Sequence, residues 1–354
     1  GKMLVGLLAL QSSLNEGVGP AIYVVPDNYL LHQVMNEARD LGINATDDAN
    51  DSGFLAGRSI LVANIHKLVN GKSVFGVGEV RKPIGAVVID DAHACLATVD
   101  DQFSISLDSI HPAYDALIAL FEEDLKAQSE LRLVELKAED PQAIMLVPFW
   151  AWYDKRGKVL EILHSHRDDD DLLFKWPLLK EVIPYCQCVI GGTELEISPR
   201  CVPIERITSF ERAKRRIYMT ATLADDGVLV SKLNANPTLV VDPIKPKGAG
   251  EIGDRMIVVP QEINGSITDD EIKALAAQVA VTKNVAVIVP SEKRANYWAD
   301  VAHQTLKADT IANGIDRLKR GEHVGITVLV NRYDGVDLPD DARRLLIIDG
   351  LPAF

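Results

Sequence analysis

The sequence has 354 residues, of which 47% are hydrophobic, so it is long enough for two or three domains with sizeable cores. Its formal net charge of −14 argues against a protein that coats nucleic acid or an anionic membrane by bulk charge, although it leaves room for a local basic track. Four cysteines give no disulfide framework, and no apolar run reaches the ~18 residues that a membrane span needs, so a cytoplasmic protein is expected.

The chain opens on an apolar helix, predicted over residues 4–10, which follows Gly1 and Lys2 directly. This start lacks the basic region and the cleavage site of a signal peptide. A Gly-Lys pair at the start of a helix ends the phosphate-binding P-loop, where a lysine and backbone N–H groups hold phosphates. Two residues alone are explained better by chance than by a P-loop, and Met3 stands where the loop's Ser or Thr would bind Mg²⁺.

Strands and helices alternate in the segment that follows. A β-branched and aromatic run ends at Pro26, a helix begins with Asp27 or Asn28 as its N-cap, and a second apolar strand covers residues 59–64. A third strand is predicted at residues 86–89. Strands that alternate with helices at this spacing predict βαβ units and a parallel sheet, which places the chain in the α/β class.

The third strand ends at the clearest candidate for chemistry. Its apolar residues lead directly into Asp90, Asp91, Ala92 and His93. Ligands of open α/β sheets bind outside the carboxyl ends of the strands. A carboxylate there can hold Mg²⁺, and a second acidic group can polarise an attacking water, so we assign the metal to Asp90 and the water to Asp91. Taken alone, this segment is equally well explained as a strand followed by an acidic turn that caps the next helix.

Four segments resemble, in order, the motifs of superfamily 2 helicases. Motif II, the DEAD/DEAH box, is matched by residues 90–93, although Asp91 replaces the usual Glu and is one methylene shorter, which predicts a slow ATPase. The other three matches are motif Ia on the nucleic-acid backbone (Pro26, Leu30, Gln33), the strand that leads to the next backbone-contacting motif (residues 60–64, ending at Asn64), and motif III, which couples nucleotide state to nucleic-acid grip (Thr220, Ala221, Thr222).

His93 and Thr220 lie 127 positions apart (220 − 93), which leaves room for an inserted domain at residues 103–205, called the insert below. Its position resembles that of the insertion in XPD/DinG-type helicases, which guides a single strand. The pattern predicts helices over residues 108–136. It also predicts a turn at residues 154–157 before a returning strand at 159–163, and a helix bounded by prolines within residues 175–184.

The cysteines and histidines of the insert are weak candidates for a metal centre. Cys186 and Cys188 form a CxC pair, but no second close pair follows, so we reject a zinc or iron–sulfur site. His164 and His166 fall in a predicted exposed loop, and the sequence places no partner beside them. The acidic residues 167–171 are read as a solvated loop.

A second α/β pattern follows a linker rich in Pro, Gly and Lys, residues 244–254. Ser291 ends a buried strand and resembles motif IV, which meets the nucleic-acid backbone. Gly335 and Asp337 resemble the centre of motif V, where glycine lets a backbone N–H approach a phosphate and the carboxylate accepts from a sugar hydroxyl. Further strands are predicted at residues 256–260, 285–290, 325–330 and 345–352.

The resemblance implies an α/β P-loop NTPase fold with two RecA-like lobes, residues 1–102 with 206–243 and residues 255–354, and the insert between motifs II and III. ATP and Mg²⁺ would bind between the lobes, and single-stranded DNA or RNA would lie across both. The implied roles are catalytic for Asp90, Asp91 and His93, ATP-binding for Lys2, Gly335 and Asp337, coupling for Thr220, Ala221 and Thr222, and nucleic-acid-binding for Pro26, Leu30, Gln33, Asn64 and Ser291.

Three functions stay open at this point. The P-loop strand and motif VI are missing from the sequence, so the first expectation is a fragment of an ATP-dependent helicase or translocase, acting in repair or antiphage defence. The second is an inactive helicase-like module that binds nucleic acid or a protein. The third is a P-loop NTPase unrelated to nucleic acid.

Overall fold

The computed structural model describes residues 2–220, 227–244, 256–307, 310–332, 336, 338 and 340–351. The chain forms two compact units, residues 1–244 and 245–354. Within the described residues, no helix combines the length and the apolar character that crossing a membrane requires.

The first unit combines a parallel sheet with an antiparallel one. Its strands are β1 (Ala21–Val25), β2 (Ala45–Thr46), β3 (Ile60–Asn64), β4 (Ala86–Ile89), β5 (Ile105–Asp108), β6 (Ile144–Leu146), β7 (Cys186–Gly191), β8 (Glu194–Pro199) and β9 (Arg215–Tyr218). Its helices are α1 (Lys2–Asn15), α2 (Asn28–Asp40), α3 (Ser52–Leu55), α4 (Ile65–Leu68), α5 (Ala92–Gln102), α6 (Pro112–Gln128), α7 (Glu130–Lys137), α8 (Phe149–Asp154), α9 (Arg156–Ser165), α10 (Asp170–Leu173), α11 (Trp176–Leu179), α12 (Thr208–Glu211), α13 (Gly227–Leu233) and α14 (Pro237–Val240), with 3₁₀ turns at Ile183–Tyr185 and Ile204–Arg206.

The parallel sheet has the strand order β2-β3-β1-β4-β9 and carries apolar cores on both faces. Side chains alternate across a strand, so Ile22 and Val24 of β1 face one core, whereas Tyr23 and Val25 face the other. Helices α1 and α2 cover the Tyr23 face, and α5 covers the opposite face. Burial on both faces explains why β1 and β4 are continuous apolar runs rather than alternating ones.

Helix α1 approaches β1 closely because it carries a glycine at the contact. A Cβ atom on Gly6 would lie 2.6 Å from Cε2 of Tyr23 and 2.8 Å from Cε of Met219. The Tyr23 ring is fully buried, so it has no room to move aside. Gly6 therefore makes space for the one aromatic ring of β1.

The insert folds as helices α6–α11 around an antiparallel sheet with the order β5-β8-β7-β6. This sheet was not predicted. The predicted strand at residues 159–163 is wrong, because these residues belong to α9. Val159 and Leu163 are both fully buried and lie four positions apart, which is the helical repeat. The apolar residues of this run therefore form the buried face of a helix. The proline-bounded helix is shorter than predicted and is reduced to α11 and a 3₁₀ turn.

The second unit contains a parallel sheet in the order β11-β12-β10-β13. Its strands are β10 (Val285–Val289), β11 (Gln304–Leu306), β12 (Ile326–Val330) and β13 (Leu345–Ile348). Its helices are α15 (Pro260–Ile263), α16 (Asp269–Ala280), α17 (Glu292–Tyr297) and α18 (Ile311–Lys319), with a 3₁₀ turn at Asp340–Ala342. Helix α16 begins with a capping box between Thr268 and Glu271.

The predicted strand at residues 256–260 is also wrong. Residues 256–259 pair with no strand among the described residues, and the side chains of Met256 and Ile257 are 91% and 87% exposed. Pro260 starts the short helix α15 instead. An apolar run forms a strand only where a sheet edge receives it, and neighbouring residues alone do not supply that edge.

The predicted linker falls almost wholly outside the described residues. Two parallel sheets with helices around them nevertheless confirm the predicted α/β fold with two RecA-like lobes.

The contact at Gly6 gives a test of the packing. We expect Gly6→Ala to lower the free energy of unfolding by about 1–3 kcal/mol, because the added methyl group overlaps the Tyr23 ring. Gly157→Ala is the matched control, since Gly157 also lies in a helix and no atom comes within 4 Å of the added Cβ. Alanine has a higher helix propensity than glycine, so Gly157→Ala should raise the free energy of unfolding by up to about 1 kcal/mol. The midpoint of urea unfolding measures both changes, and equal midpoints for the two variants would contradict the close approach.

Candidate active site

Asp90 lies at the carboxyl end of β4 and is only 4% exposed. Its backbone N–H donates to the carbonyl oxygen of Val24 at 2.8 Å, which extends the β1–β4 ladder by one residue. The side chain accepts two further hydrogen bonds. The Tyr23 hydroxyl donates to Oδ2 at 2.8 Å, and the backbone N–H of Asp91 donates to Oδ1 at 2.9 Å. The carboxylate is therefore held in one orientation at the edge of the parallel sheet.

Tyr23 is a functional candidate that the sequence analysis missed. It lies in the middle of β1 opposite Val88 of β4, and its ring reaches along the sheet to Asp90. Burial, together with the negative charge of Asp90, raises the pKa of Tyr23 well above its usual range, so the hydroxyl stays protonated and remains a donor. A single hydroxyl inside an otherwise aliphatic strand gives no signal of this role in the sequence, because the role depends on the pairing of β1 with β4.

Asp91 forms the sharp turn between β4 and α5. Its backbone is in the left-handed region, with φ 50° and ψ 55°, which Asp tolerates better than most residues. The next N–H group, that of Ala92, donates to the carbonyl oxygen of Met219 at 2.9 Å, just beyond β9. The turn thus aligns the start of α5 with the end of β9.

Lys2 lies in the first turn of α1 and reaches the same carboxylate. Its Nζ is 3.9 Å from Oδ1 of Asp90, and its side chain is 44% exposed. The structure therefore places the lysine of the Gly-Lys pair beside the aspartate of the predicted DEAD/DEAH-like box. The ammonium group and the amino end of a 14-residue helix both place positive charge beside the Asp90 carboxylate.

His93 and Thr220 are joined although they are 127 positions apart. Nδ1 of His93 and Oγ1 of Thr220 are separated by 2.8 Å, a hydrogen-bond distance. This contact links the first turn of α5 to the end of β9, so the segments that resemble motifs II and III meet at one edge of the sheet. Lys2, Tyr23, Asp90, Asp91, His93 and Thr220 are called the Asp90 site below. Ala221 and Thr222 lie outside the described residues.

The predicted nucleic-acid contacts are spread over two units. Pro26 follows β1 and Asn64 is the last residue of β3, at the same edge of the sheet as Asp90. Asn64 caps α4 through a bond from the Lys67 N–H and donates to Oδ1 of Asn28 at 2.8 Å. Two more predicted contacts lie on α2. Gln33 is partly exposed, but Leu30 is only 7% exposed and packs in the core, so its side chain offers no surface to a strand.

In the second unit, the predicted site residues are Ser291, Gly335 and Asp337. Ser291 caps α17 at the carboxyl end of β10, where its Oγ accepts from the N–H of Arg294. Arg294 itself binds the carboxylates of Asp349 and Asp269, at 2.7 and 2.8 Å. Gly335 and Asp337 lie outside the described residues, so their nucleotide contacts stay predictions.

All four cysteines are free thiols, and Cys95, Cys186 and Cys188 are buried. Cys186 and Cys188 are buried on one face of β7, and burial raises the pKa of Cys186 to about 12. Cys95 lies under the Asp90 site, where burial and the charges of Asp91 and Asp90 raise the pKa of its thiol. These thiols are core side chains that stay protonated at neutral pH.

The hydrogen bond from Tyr23 generates a direct test. We expect Tyr23→Phe to weaken the Mg²⁺-dependent binding of a fluorescent ATP analogue about tenfold, because Asp90 loses the donor that orients it. Tyr185→Phe is the control, since Tyr185 is 74% exposed and should bind the analogue as the unmodified protein does. Equal affinity in both variants would show that Tyr23 does not position the carboxylate.

Comparison with known proteins adds the fold family. No protein-family model matches the sequence, and no curated protein matches it. Among solved structures, the Xpd4 structure of S. tokodaii aligns over 99% of this chain and 77% of its own, with a TM-score of 0.50 and 14% identity. An apo XPD structure and an XPD helicase structure align over 98% of this chain and 78% and 80% of theirs, with TM-scores of 0.47 and 0.43 and identities of 13% and 12%. The first of these alignments shows that the chain shares the fold of the Xpd4 structure.

Proposed function

We propose that this chain is the motor region of an ATP-dependent helicase or translocase that moves on single-stranded DNA or RNA. The observation that carries the proposal is the Asp90 site. Lys2, Asp90 and the His93–Thr220 pair meet at the carboxyl edge of a parallel sheet, where α/β proteins bind their ligands. Resemblance to helicase motifs and an XPD-like fold support the same assignment.

The Asp90 site has the donor set that a magnesium–nucleotide complex requires. Mg²⁺ prefers carboxylate oxygens, and a carboxylate oxygen that accepts one hydrogen bond keeps lone-pair capacity for a second partner. Each oxygen of Asp90 has one such bond in the structure. Lys2 and the amino end of α1 supply the positive charge that phosphate groups need. The residues present therefore fit both parts of the complex.

Each residue then has a role that follows from its contacts. When bound, Mg²⁺ would neutralise developing charge on the phosphate oxygens. Tyr23 holds Asp90 in place, and Lys2 offsets the negative charge at the same edge. Asp91, the residue after the proposed metal ligand Asp90, would orient the attacking water and accept its proton. Its side chain is shorter than the usual Glu, so a slow turnover is expected.

The His93–Thr220 contact would transmit the state of the nucleotide. His93 lies in the first turn of α5, and Thr220 follows β9, so a shift of either segment changes this 2.8 Å contact. We assign Ala221 and Thr222 to the same coupling segment, and Gly335 and Asp337 to nucleotide contacts from the second unit. These four residues are assigned by their resemblance to the helicase motifs alone.

Nucleic acid would be held mainly through its backbone. Pro26, Gln33, Asn64 and Ser291 are the proposed contacts. Asn64 and Ser291 place polar side chains at the carboxyl ends of strands, and such groups suit phosphate and sugar oxygens. Backbone contacts of this kind carry little sequence preference. A helicase of this type could serve in repair or in antiphage defence.

One observation favours a second candidate, an inactive helicase-like module that binds nucleic acid or a protein. The side chain of Asp91 is one methylene shorter than that of the Glu usual in the DEAD/DEAH box. Met3 provides no hydroxyl group in the first turn of α1. Both changes reduce turnover without removing the fold or the strand contacts. Hydrolysis separates the two candidates.

The test is ATP hydrolysis by the product of the complete gene, measured with and without single-stranded DNA and RNA. We expect stimulation by a single strand and its loss, by at least about a hundredfold, in Asp90→Ala, because the magnesium ligand is gone. Asp40→Asn, an exposed acidic residue at the end of α2, is the matched control and should keep full activity. Tight strand binding without hydrolysis in the unmodified protein would leave the second candidate, and hydrolysis unaffected by Asp90→Ala would overturn the assignment of the site.

A further inference from the structure

The insert brings two histidines and an aspartate together at a place that the proposed ATPase does not use. Nδ1 of His166 is 2.9 Å from Oδ2 of Asp169, and Nε2 of His111 is 3.4 Å from the same oxygen. All three potential ligand atoms lie within 4.8 Å of one another. The two imidazole rings meet edge to face, with their centroids 5.0 Å apart and their planes at 65°.

The three side chains are held by the ends of three helices. His111 precedes α6, His166 follows α9, and Asp169 precedes α10. The side chain of His111 is 9% exposed, and its Nε2 is buried without a hydrogen-bond partner among the residues that the structure describes. His166 and Asp169 are more open, at 26% and 48%. The cluster is therefore accessible from one side and closed by the buried histidine on the other.

These distances match the requirements of a tetrahedral transition-metal ion. Bonds of about 2.0–2.1 Å from Zn²⁺ to imidazole nitrogen or carboxylate oxygen place neighbouring ligand atoms roughly 3.3–3.4 Å apart. The two distances to Asp169 are 2.9 and 3.4 Å, so small side-chain movements suffice. Two nitrogen ligands out of three favour Zn²⁺ and similar ions over Mg²⁺ and Ca²⁺, which prefer oxygen.

We propose that His111, His166 and Asp169 form a binding site for Zn²⁺ or a similar divalent transition-metal ion, with a fourth position open to water. The ion would join the start of α6 to the α9–α10 turn, two parts of the insert that are 55 positions apart (166 − 111). Its effect is structural, since it stabilises the insert without contacting the Asp90 site.

One hydrogen bond of His111 competes with binding of the metal ion. Nδ1 of His111 accepts from the backbone N–H of Ala113 at 3.1 Å, so the proton of the neutral ring is on Nε2. A metal bond at Nε2 requires that proton to leave, and a proton moved to Nδ1 would break the bond to Ala113. Binding of the ion at Nε2 of His111 would therefore break the capping hydrogen bond from Ala113 and form one metal–nitrogen bond. Without the ion, His166 and Asp169 form a hydrogen bond, and Nε2 of His111 lies 3.4 Å from the same carboxylate oxygen without a hydrogen bond.

The test is a calorimetric titration of metal-free protein, without a histidine tag, with ZnCl₂ in excess Mg²⁺. Cys201 is exposed and is a competing soft ligand, so every protein carries Cys201→Ser. We expect one equivalent of Zn²⁺ and at least about tenfold weaker binding in His166→Ala and in Asp169→Asn. The neighbours His164→Ala and Asp168→Asn are matched controls, because both side chains are exposed and lie outside the cluster, and their affinity should stay within twofold.

Two further readouts make the outcome decisive. Co²⁺ in place of Zn²⁺ should give the intense visible absorption of a tetrahedral site, and His166→Ala should lose it. The circular dichroism of each metal-free variant establishes that it is folded, and Asp169→Asn carries the test if His166→Ala is not. Absence of Zn²⁺ binding in the parent protein, or equal affinity in the cluster variants and their controls, would overturn the proposal and leave a hydrogen-bonded cluster only.

Discussion

The hydrogen bond from Tyr23 to Asp90 is the constraint on which the candidate site depends. It joins two neighbouring parallel strands through their side chains and fixes a buried carboxylate at the edge of the sheet. Gly6 is part of the same constraint, since only a residue without Cβ lets α1 pass over the Tyr23 ring while Lys2, one turn earlier, reaches Asp90. Helix, strand and site are therefore specified together, and a change at any one of these positions disturbs the others.

Helix α5 connects the Asp90 site to the insert. It begins directly after Asp91, carries His93 in its first turn, and ends at Gln102, three residues before the first strand of the insert. Near its end, Asp101 pairs with Lys175 of the insert at 2.9 Å, and Asp100 pairs with Lys232 of α13. One hydrophobic core continues from β1 and β4 into the insert. The insert and the Asp90 site are therefore supported by the same continuous core within the first unit.

The sequence was sufficient where the signal is local and periodic, and insufficient where it depends on distant partners. The apolar runs of β1, β3 and β4 and the acidic turn after β4 predict a parallel sheet with a site at its edge. Tyr23 was missed because its role exists only through strand pairing, and the cluster of His111, His166 and Asp169 was missed because its members are separated by up to 58 positions (169 − 111). The apolar residues of α9 were read as a strand because a short apolar run fits both periods, and burial at Val159 and Leu163 decides between them.

Nucleotide binding at the proposed Asp90 site is tested most directly by hydrogen–deuterium exchange with and without Mg²⁺ and a non-hydrolysable ATP analogue. The account predicts slower exchange in peptides that cover the first turns of α1 and the segment from β4 into α5, because their N–H groups line the proposed phosphate and metal positions. Peptides from α8 and α9 of the insert serve as the internal reference and should exchange at an unchanged rate. Unchanged exchange at α1 and at the β4–α5 turn, with binding shown independently, would contradict the account, because the nucleotide would then bind elsewhere.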